Sequence, residues 1–172
     1  METARLIHRK FTPEDLQTLI SLRFDEEVMR YLGGWARQNP DALTERLRFY
    51  IDCYDQYGFG MCAMFWKETG EMIGWSGLQP LEDSLEIEVG YGMIKEFWGR
   101  GIGFETASMW LKHGFETVKL DRIVAVADPA NIGSWRIMEK CGMIREKVER
   151  HYDMDCVFYG MSRDQYLARE PN

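Results

Sequence analysis

Two stretches of this chain carry residue types suited to holding an anionic ligand. The first is Trp98-Gly99-Arg100-Gly101-Ile102-Gly103-Phe104-Glu105. Before it, residues 85–94 alternate well enough to read as a half-buried strand. After it, Phe104, Ala107, Trp110, Leu111, Gly114 and Phe115 recur at steps of three and four, the period of an amphipathic helix. A strand, a glycine turn and a helix in that order aim free backbone N–H groups and a positive helix end at one point, which suits a phosphate or pyrophosphate. Glycine lets the backbone approach such a ligand with positive φ and no Cβ in the way.

The second stretch is Asp128-Pro129-Ala130-Asn131-Ile132-Gly133-Ser134, which follows the apolar run Arg122–Ala127. Asn131 and Ser134 are three apart and share a helix face. Asn131 either caps its own helix or offers its amide to a ligand. The two junctions together are more specific than either alone. A Rossmann unit is disfavoured, because the glycine cluster lies past the midpoint and no acidic residue ends a strand about twenty residues on. The lysine and Ser/Thr of a P-loop are missing.

The elements that must position these groups read in sequence as follows. Residues 5–9 form a first strand. Thr12 caps a helix with Pro13 at its first position, and Leu16, Leu19, Ile20 and Phe24 continue it until Gly33-Gly34 breaks it. A second helix runs from about Pro40 to Tyr54, with Leu43, Leu47, Tyr50, Ile51 and Tyr54 on one face. Residues 59–66 and 72–81 form a hairpin around Glu68-Thr69-Gly70-Glu71. The glycine-turn unit follows, then a strand at residues 122–127 and a helix from Asn131 to a stop at Gly142. Strands near 143–149 and 156–163 finish the pattern. This order gives a mixed α/β fold built on one central sheet.

At 172 residues the chain reads as one domain spanning 1–172, long enough to bury a core. A net charge of −7 makes nucleic-acid backbone binding a poor default, so no nucleic-acid partner is expected. The same charge suits a cationic substrate such as an amine, though it serves solubility equally well. Cys53, Cys62, Cys141 and Cys156 have no metal-ligand spacing, and no metal is expected. No apolar run reaches membrane-spanning length and the amino terminus is not a signal peptide, so a cytoplasmic protein without membrane association is expected. His8 and His113 read as surface or strand-edge residues. His151 either borders a pocket or lies in a solvent loop. Trp35, Trp75 and Trp98 read as core residues that could also line a pocket.

Glu88-Val89-Gly90-Tyr91, Phe97 to Ala107, Asn131-Ile132-Gly133-Ser134, Glu139 to Met143 and the C-terminal Phe158 to Arg163 resemble the GNAT superfamily of acyl-CoA N-acyltransferases. The branch they are most similar to contains the bacterial ribosomal-protein N-terminal acetyltransferases. The resemblance covers nearly the whole chain. It implies the GNAT-type α+β fold, a mostly antiparallel central sheet flanked by helices. It also implies an N-acetyltransferase that moves acetyl from acetyl-CoA to a primary amine in a ternary complex.

Residue by residue, the resemblance gives the amides of Gly99, Arg100, Gly101, Ile102, Gly103 and Phe104 the CoA pyrophosphate. Trp98 stands where the superfamily often has Gln or Arg, three residues before Gly101. Backbone groups of Met93 and Ile94 would pair with pantetheine, and Asn131 and Ser134 would contact the CoA arm near the thioester. Arg100 and Lys140 are either phosphate partners or solvated charges.

An ammonium cannot attack a carbonyl, so a base must take a proton. The resemblance places Glu88 in that role, with Glu86 in reserve by alternation. The opposing expectation is that Glu88 pairs with an Arg or Lys in the sheet. The Met93 amide is the expected oxyanion donor. The tyrosine acid common in the superfamily is replaced by Met138, which leaves Ser134, another Tyr or solvent. Cys141 has no neighbouring histidine in sequence, so a Cys–His nucleophile is unsupported. The acceptor is a small-molecule amine or a protein N-terminus, shaped by residues 12–55, and the resemblance favours the latter. A homodimer is compatible with the resemblance. The competing reading is a non-catalytic acyl-CoA-binding module with a GNAT-like fold.

Overall fold

The computed structural model describes residues 1–32 and 39–169. Among these, seven strands form one sheet in the order β1-β2-β3-β4-β5-β7-β6. They are β1 (Leu6–Lys10), β2 (Met61–Trp66), β3 (Met72–Pro80), β4 (Ile87–Met93), β5 (Arg122–Ala127), β6 (Ile144–His151) and β7 (Met154–Ser162). Every neighbouring pair is antiparallel except β4 and β5, which are parallel and meet at one register pair, Glu88 with Val124. Beyond Glu88 these two strands part, and the gap between them organises the site.

Helices α1 (Leu16–Phe24), α2 (Glu26–Met29) and α3 (Pro40–Tyr57) cover one face of the sheet. Leu19, Leu22, Val28, Met29, Leu47 and Tyr50 pack there on Met61, Ala63 and Trp75. Helices α4 (Ile102–Lys112) and α5 (Ile132–Lys140) cover the other face, where Ala107, Trp110, Leu111 and Met138 meet Leu78, Val89, Ile123 and Ala125. A short helix, α6 (Arg163–Leu167), ends the described chain.

Local chemistry sets the helix limits. Thr12 is the N-cap as expected and forms a capping box with Asp15 around Pro13, although the first turn is 3-10 before α1 begins. The helical run then ends at Phe24, earlier than the pattern suggests. Asp25 leaves the helical conformation and its carboxylate accepts the Glu27 and Val28 amides, starting α2 afresh. The break assigned to Gly33-Gly34 lies outside the described residues, as does Trp35. Asn39 caps α3, and Gly58 closes it with φ 76°.

His8 lies on the edge strand β1, one of its two expected places, but is buried rather than at the surface. It is 2% exposed, on the same face of β1 as the fully buried Leu6 two residues before. Its Nδ1 lies 2.9 Å from Ser76 Oγ, which also accepts the Trp110 indole N–H at 2.9 Å. Burial pushes its pKa down to about 4. His113 is half-buried rather than exposed, edge-on to Trp110.

Candidate functional site

A cavity of about 740 Å³ runs through the gap between β4 and β5, from the glycine turn at the N-terminus of α4 to the α1–α3 face of the sheet. The glycine turn is built as an anion seat. Gly99 and Gly101 take φ of 70° and 78°, in the left-handed region open to glycine. The helix that follows has no side-chain cap, so its first amides have no partner from within the helix. At Gly103 the approach of α5 is close, since a Cβ would lie 2.7 Å from Ile137 Cδ1. Trp98 lines the cavity, and its indole N–H donates to the Met93 carbonyl at 2.9 Å. Arg100 does not line it; its guanidinium lies over the Phe97 ring. Lys140 does line it, with its ammonium 4.3 Å from the Phe104 ring centre.

The ladder fixes which backbone groups of β4 face the gap. The Ile94 amide donates to the Ile73 carbonyl of β3 at 2.9 Å. By the alternation of an antiparallel pair, the amides and carbonyls of Met93, Tyr91 and Val89 therefore point away from β3, into the gap. This corrects the expectation for Ile94. Its amide is used by β3, and its carbonyl accepts the Phe97 amide at 3.1 Å. The Met93 carbonyl is used by Trp98, while its amide faces the gap.

Side chains of β4 divide the same way. Val89 and Met93 sit in the cores beneath α4, and Tyr91 packs against both. Glu88, Gly90 and Gly92 face α1–α3 beside Trp75, where Cβ atoms on the two glycines would lie 2.8 Å from Met61 Cε and 2.5 Å from Trp75 Cζ2. The strand thus presents bare backbone on its acceptor side, with one carboxylate at the end.

That carboxylate is buried, and the charge of Arg46, which lines the same cavity, acts on it. Glu88 is 5% exposed, and its Oε1 accepts the Gln79 amide at 2.5 Å and the Tyr152 hydroxyl. Burial pushes the Glu88 pKa up, against the pull of its two hydrogen-bond donors. The same burial and the nearby Glu88 charge push the Tyr152 pKa up, so the phenol keeps its proton. Glu86 has the parity of Glu88 but not its place. Arg122 Nε binds it at 3.1 Å, outside the cavity.

Gln79 and Tyr152 are functional candidates that the residue pattern did not reveal. Gln79 stands opposite Glu88 in the β3–β4 register. Tyr152 arrives from the β6–β7 hairpin, where His151 faces Met154 across a two-residue turn. Tyr152 and Asp153 have φ of 51° and 62°, the type I′ pattern normally filled by Asn and Gly. A tyrosine held there is strained by about 1–2 kcal/mol, and the strain aims its hydroxyl at Glu88. His151 instead binds Glu82 and Glu149 at 2.8 and 2.9 Å, away from the cavity.

On the far side, Asn131 Oδ1 accepts the Ser134 amide at 3.2 Å, so Asn131 does cap α5. Both Asn131 and Ser134 line the cavity, and Ser134 Oγ lies 3.4 Å from the Tyr91 hydroxyl. Met138 is buried in the same wall. Cys141 is buried beside Ser108, and burial pushes its thiol pKa up. Among the described residues no group of three or more His, Cys, Asp or Glu could hold a metal, and no helix is long and apolar enough to cross a membrane.

Comparison with known proteins gives a consistent picture. The family model for the acetyltransferase (GNAT) domain matches residues 5–144. The uncharacterized N-acetyltransferase YoaA of Bacillus subtilis is 29% identical, covering 88% of this chain and 86% of its own. A spermidine N-acetyltransferase from Vibrio cholerae, solved with CoA and spermine, shares the fold at TM-score 0.77 and 19% identity over 95% of this chain and 99% of its own. A ribosomal-protein-S5-alanine acetyltransferase from Vibrio fischeri does so at TM-score 0.78 and 17% identity, over 96% and 97%.

Proposed function

The chain belongs to the GNAT acetyltransferase family and is an acyl-CoA-dependent N-acetyltransferase, and on that premise we propose that it passes acetyl from acetyl-CoA to a primary amine. Attack is direct, with both substrates held together and no covalent enzyme intermediate. The observation that carries this reading is Glu88. It is a buried carboxylate at the point where β4 and β5 part, in a cavity whose other end is the uncapped N-terminus of α4.

The residues fit CoA. Its pyrophosphate suits the amides of Gly99 to Phe104, where two left-handed glycines leave the approach open. Trp98 lines the path and Lys140 supplies a cation beside it. Pantetheine suits the gap-facing groups of Met93 and Tyr91. Asn131 and Ser134 border the arm near the sulfur.

Glu88 takes a proton from the ammonium. Its raised pKa makes it a stronger base than an exposed glutamate, closer to what an amine at neutral pH requires. Tyr152 and Gln79 hold the carboxylate in place by donating to the same oxygen. One gap-facing amide, of Met93 or of Tyr91 or Val89 nearer Glu88, donates to the oxyanion, and the groups left over on that edge pair with pantetheine. Ser134, with the Tyr91 hydroxyl beside it, orients the sulfur. A thiol pKa of ~8.5 leaves the departing thiolate little need of an acid.

The test is CoA release over a panel of amines, with Glu88→Gln in parallel and thermal-shift titrations of CoA, NADH and ATP. Acetyl transfer by the wild type with a 10²–10⁴-fold loss in Glu88→Gln, and stabilisation by CoA alone, support the reading. CoA binding without release for any amine would instead identify a non-catalytic acyl-CoA-binding module.

A further inference from the structure

The acceptor side of the cavity holds a guanidinium that no carboxylate among the described residues is seen to pair with. Arg23, from α1, lies over the Trp75 ring at 4.1 Å and donates through Nη2 to the Tyr50 hydroxyl at 2.8 Å. Nη1 finds only the Met29 sulfur, at 3.8 Å, and the buried Nε–H meets no acceptor. A guanidinium has five donors in a fork shaped for carboxylate, and among the described residues the one oxygen it reaches is a neutral hydroxyl. Of the ionisable groups that act on it, Tyr50 and Tyr152 are neutral phenols and Arg46 is a second cation.

Its setting points to a ligand rather than to packing alone. Arg23, Trp75, Gly90, Gly92 and Glu88 line one cavity. Gly92 stands opposite Trp75 and Glu88 is four residues along β4, so the arginine and the base share one walled space. Arg46, from α3, lines it as well; its charge disfavours the Arg23 cation and favours the Glu88 carboxylate. The two cations contrast with the chain's net charge of −7, which by itself would suit a polycation.

We infer that the acceptor is a small amine that also carries a carboxylate, an amino-acid-like molecule whose carboxylate is received by Arg23 while its amine is presented to Glu88. The inference rests on the acetyl-transfer reading for the amine and on Arg23 for the anion. Trp75, Tyr31 and Tyr50 give the rest of the molecule an aromatic wall.

The experiment compares matched pairs that differ only in the carboxylate: phenylalanine with phenethylamine, methionine with 3-(methylthio)propylamine, lysine with cadaverine. CoA release gives kcat/KM for each, and calorimetric titration into the CoA-loaded protein gives affinity without turnover. The expected result is a preference of tenfold or more for the carboxylate-bearing member. Arg23→Gln should abolish it and Arg23→Lys should restore part of it, both retaining CoA affinity as evidence of folding. Equal handling of the pairs overturns the inference, as does a preference that survives Arg23→Gln, or no binding by any carboxylate-bearing member. Arg23-dependent binding without CoA release for any amine leaves the anion site standing and overturns acetyl transfer instead.

Discussion

The Tyr152 hydroxyl donates to the Glu88 carboxylate from 64 residues away, and both groups are withdrawn from solvent. This hydrogen bond favours the ionised acid and opposes the burial that disfavours it. Removing it by Tyr152→Phe therefore raises the Glu88 pKa further. Activity is lost on the acid side as Glu88 takes up a proton, so the acidic limb of kcat/KM should move to higher pH in the variant. The alkaline plateau should change less. A pH profile from 5 to 9 measures this. An acidic limb that stays in place would remove Tyr152 from the role of positioning the base.

The turn that delivers Tyr152 carries a second, separable test. Asp153 has φ 62° without the freedom of glycine. Asp153→Gly should relieve part of the left-handed strain, set against the larger entropy of a glycine in the unfolded chain, for a net gain of about 0.5 kcal/mol. Because the turn keeps its type, Tyr152 still reaches Glu88 and kcat/KM should hold. Urea unfolding and steady-state kinetics together decide it. Raised stability with lost activity would show that the turn's strain, and not only its shape, serves the site.

At the other end of the cavity, Gly101 combines φ 78° with the N-cap position of α4. Gly101→Val places a β-branched side chain in a conformation that costs it about 1–2 kcal/mol and stands it in the path of a ligand on the helix amides. CoA affinity by calorimetry should fall at least tenfold, whereas Glu88→Gln should leave it near wild type. An unchanged dissociation constant in Gly101→Val would detach the glycine turn from CoA.

Local signals were legible where a single element carries them. The bounds of β5 at Arg122–Ala127, the hairpin of β2 and β3, and the glycine stop after α5 follow from apolar runs and turn residues close in sequence. Glu88 and the glycine turn were legible through the family pattern. Tyr152 and Gln79 were not, because each meets Glu88 only through strand pairing and a hairpin fold-back. Arg23 was hidden for a similar reason. In sequence it is a polar position on a helix, and only the packing of α1 on β3 sets its guanidinium over Trp75. The Ile94 amide was misjudged because which backbone groups face a gap depends on ladder phase, which side-chain patterns do not report.

His8 allows a test of the core that is independent of the site. Its neutral form is favoured in the folded protein, with a pKa near 4 against an unfolded value of ~6.5. The unfolded chain thus binds a proton between these values and the folded one does not. The stabilisation is complete above pH 6.5 and declines as pH falls toward 4. Between pH 7 and pH 5 the loss amounts to roughly 2 kcal/mol. Glu88, with its raised pKa, pulls stability the other way over the same range in any variant that retains it. Comparing wild type with His8→Gln isolates the histidine, since glutamine does not titrate and can still meet Ser76. Urea unfolding at the two pH values should show the wild type losing about 2 kcal/mol more than the variant. Parallel losses would mean that His8 is protonated inside the fold, and that its bond to Ser76 is made by an imidazolium.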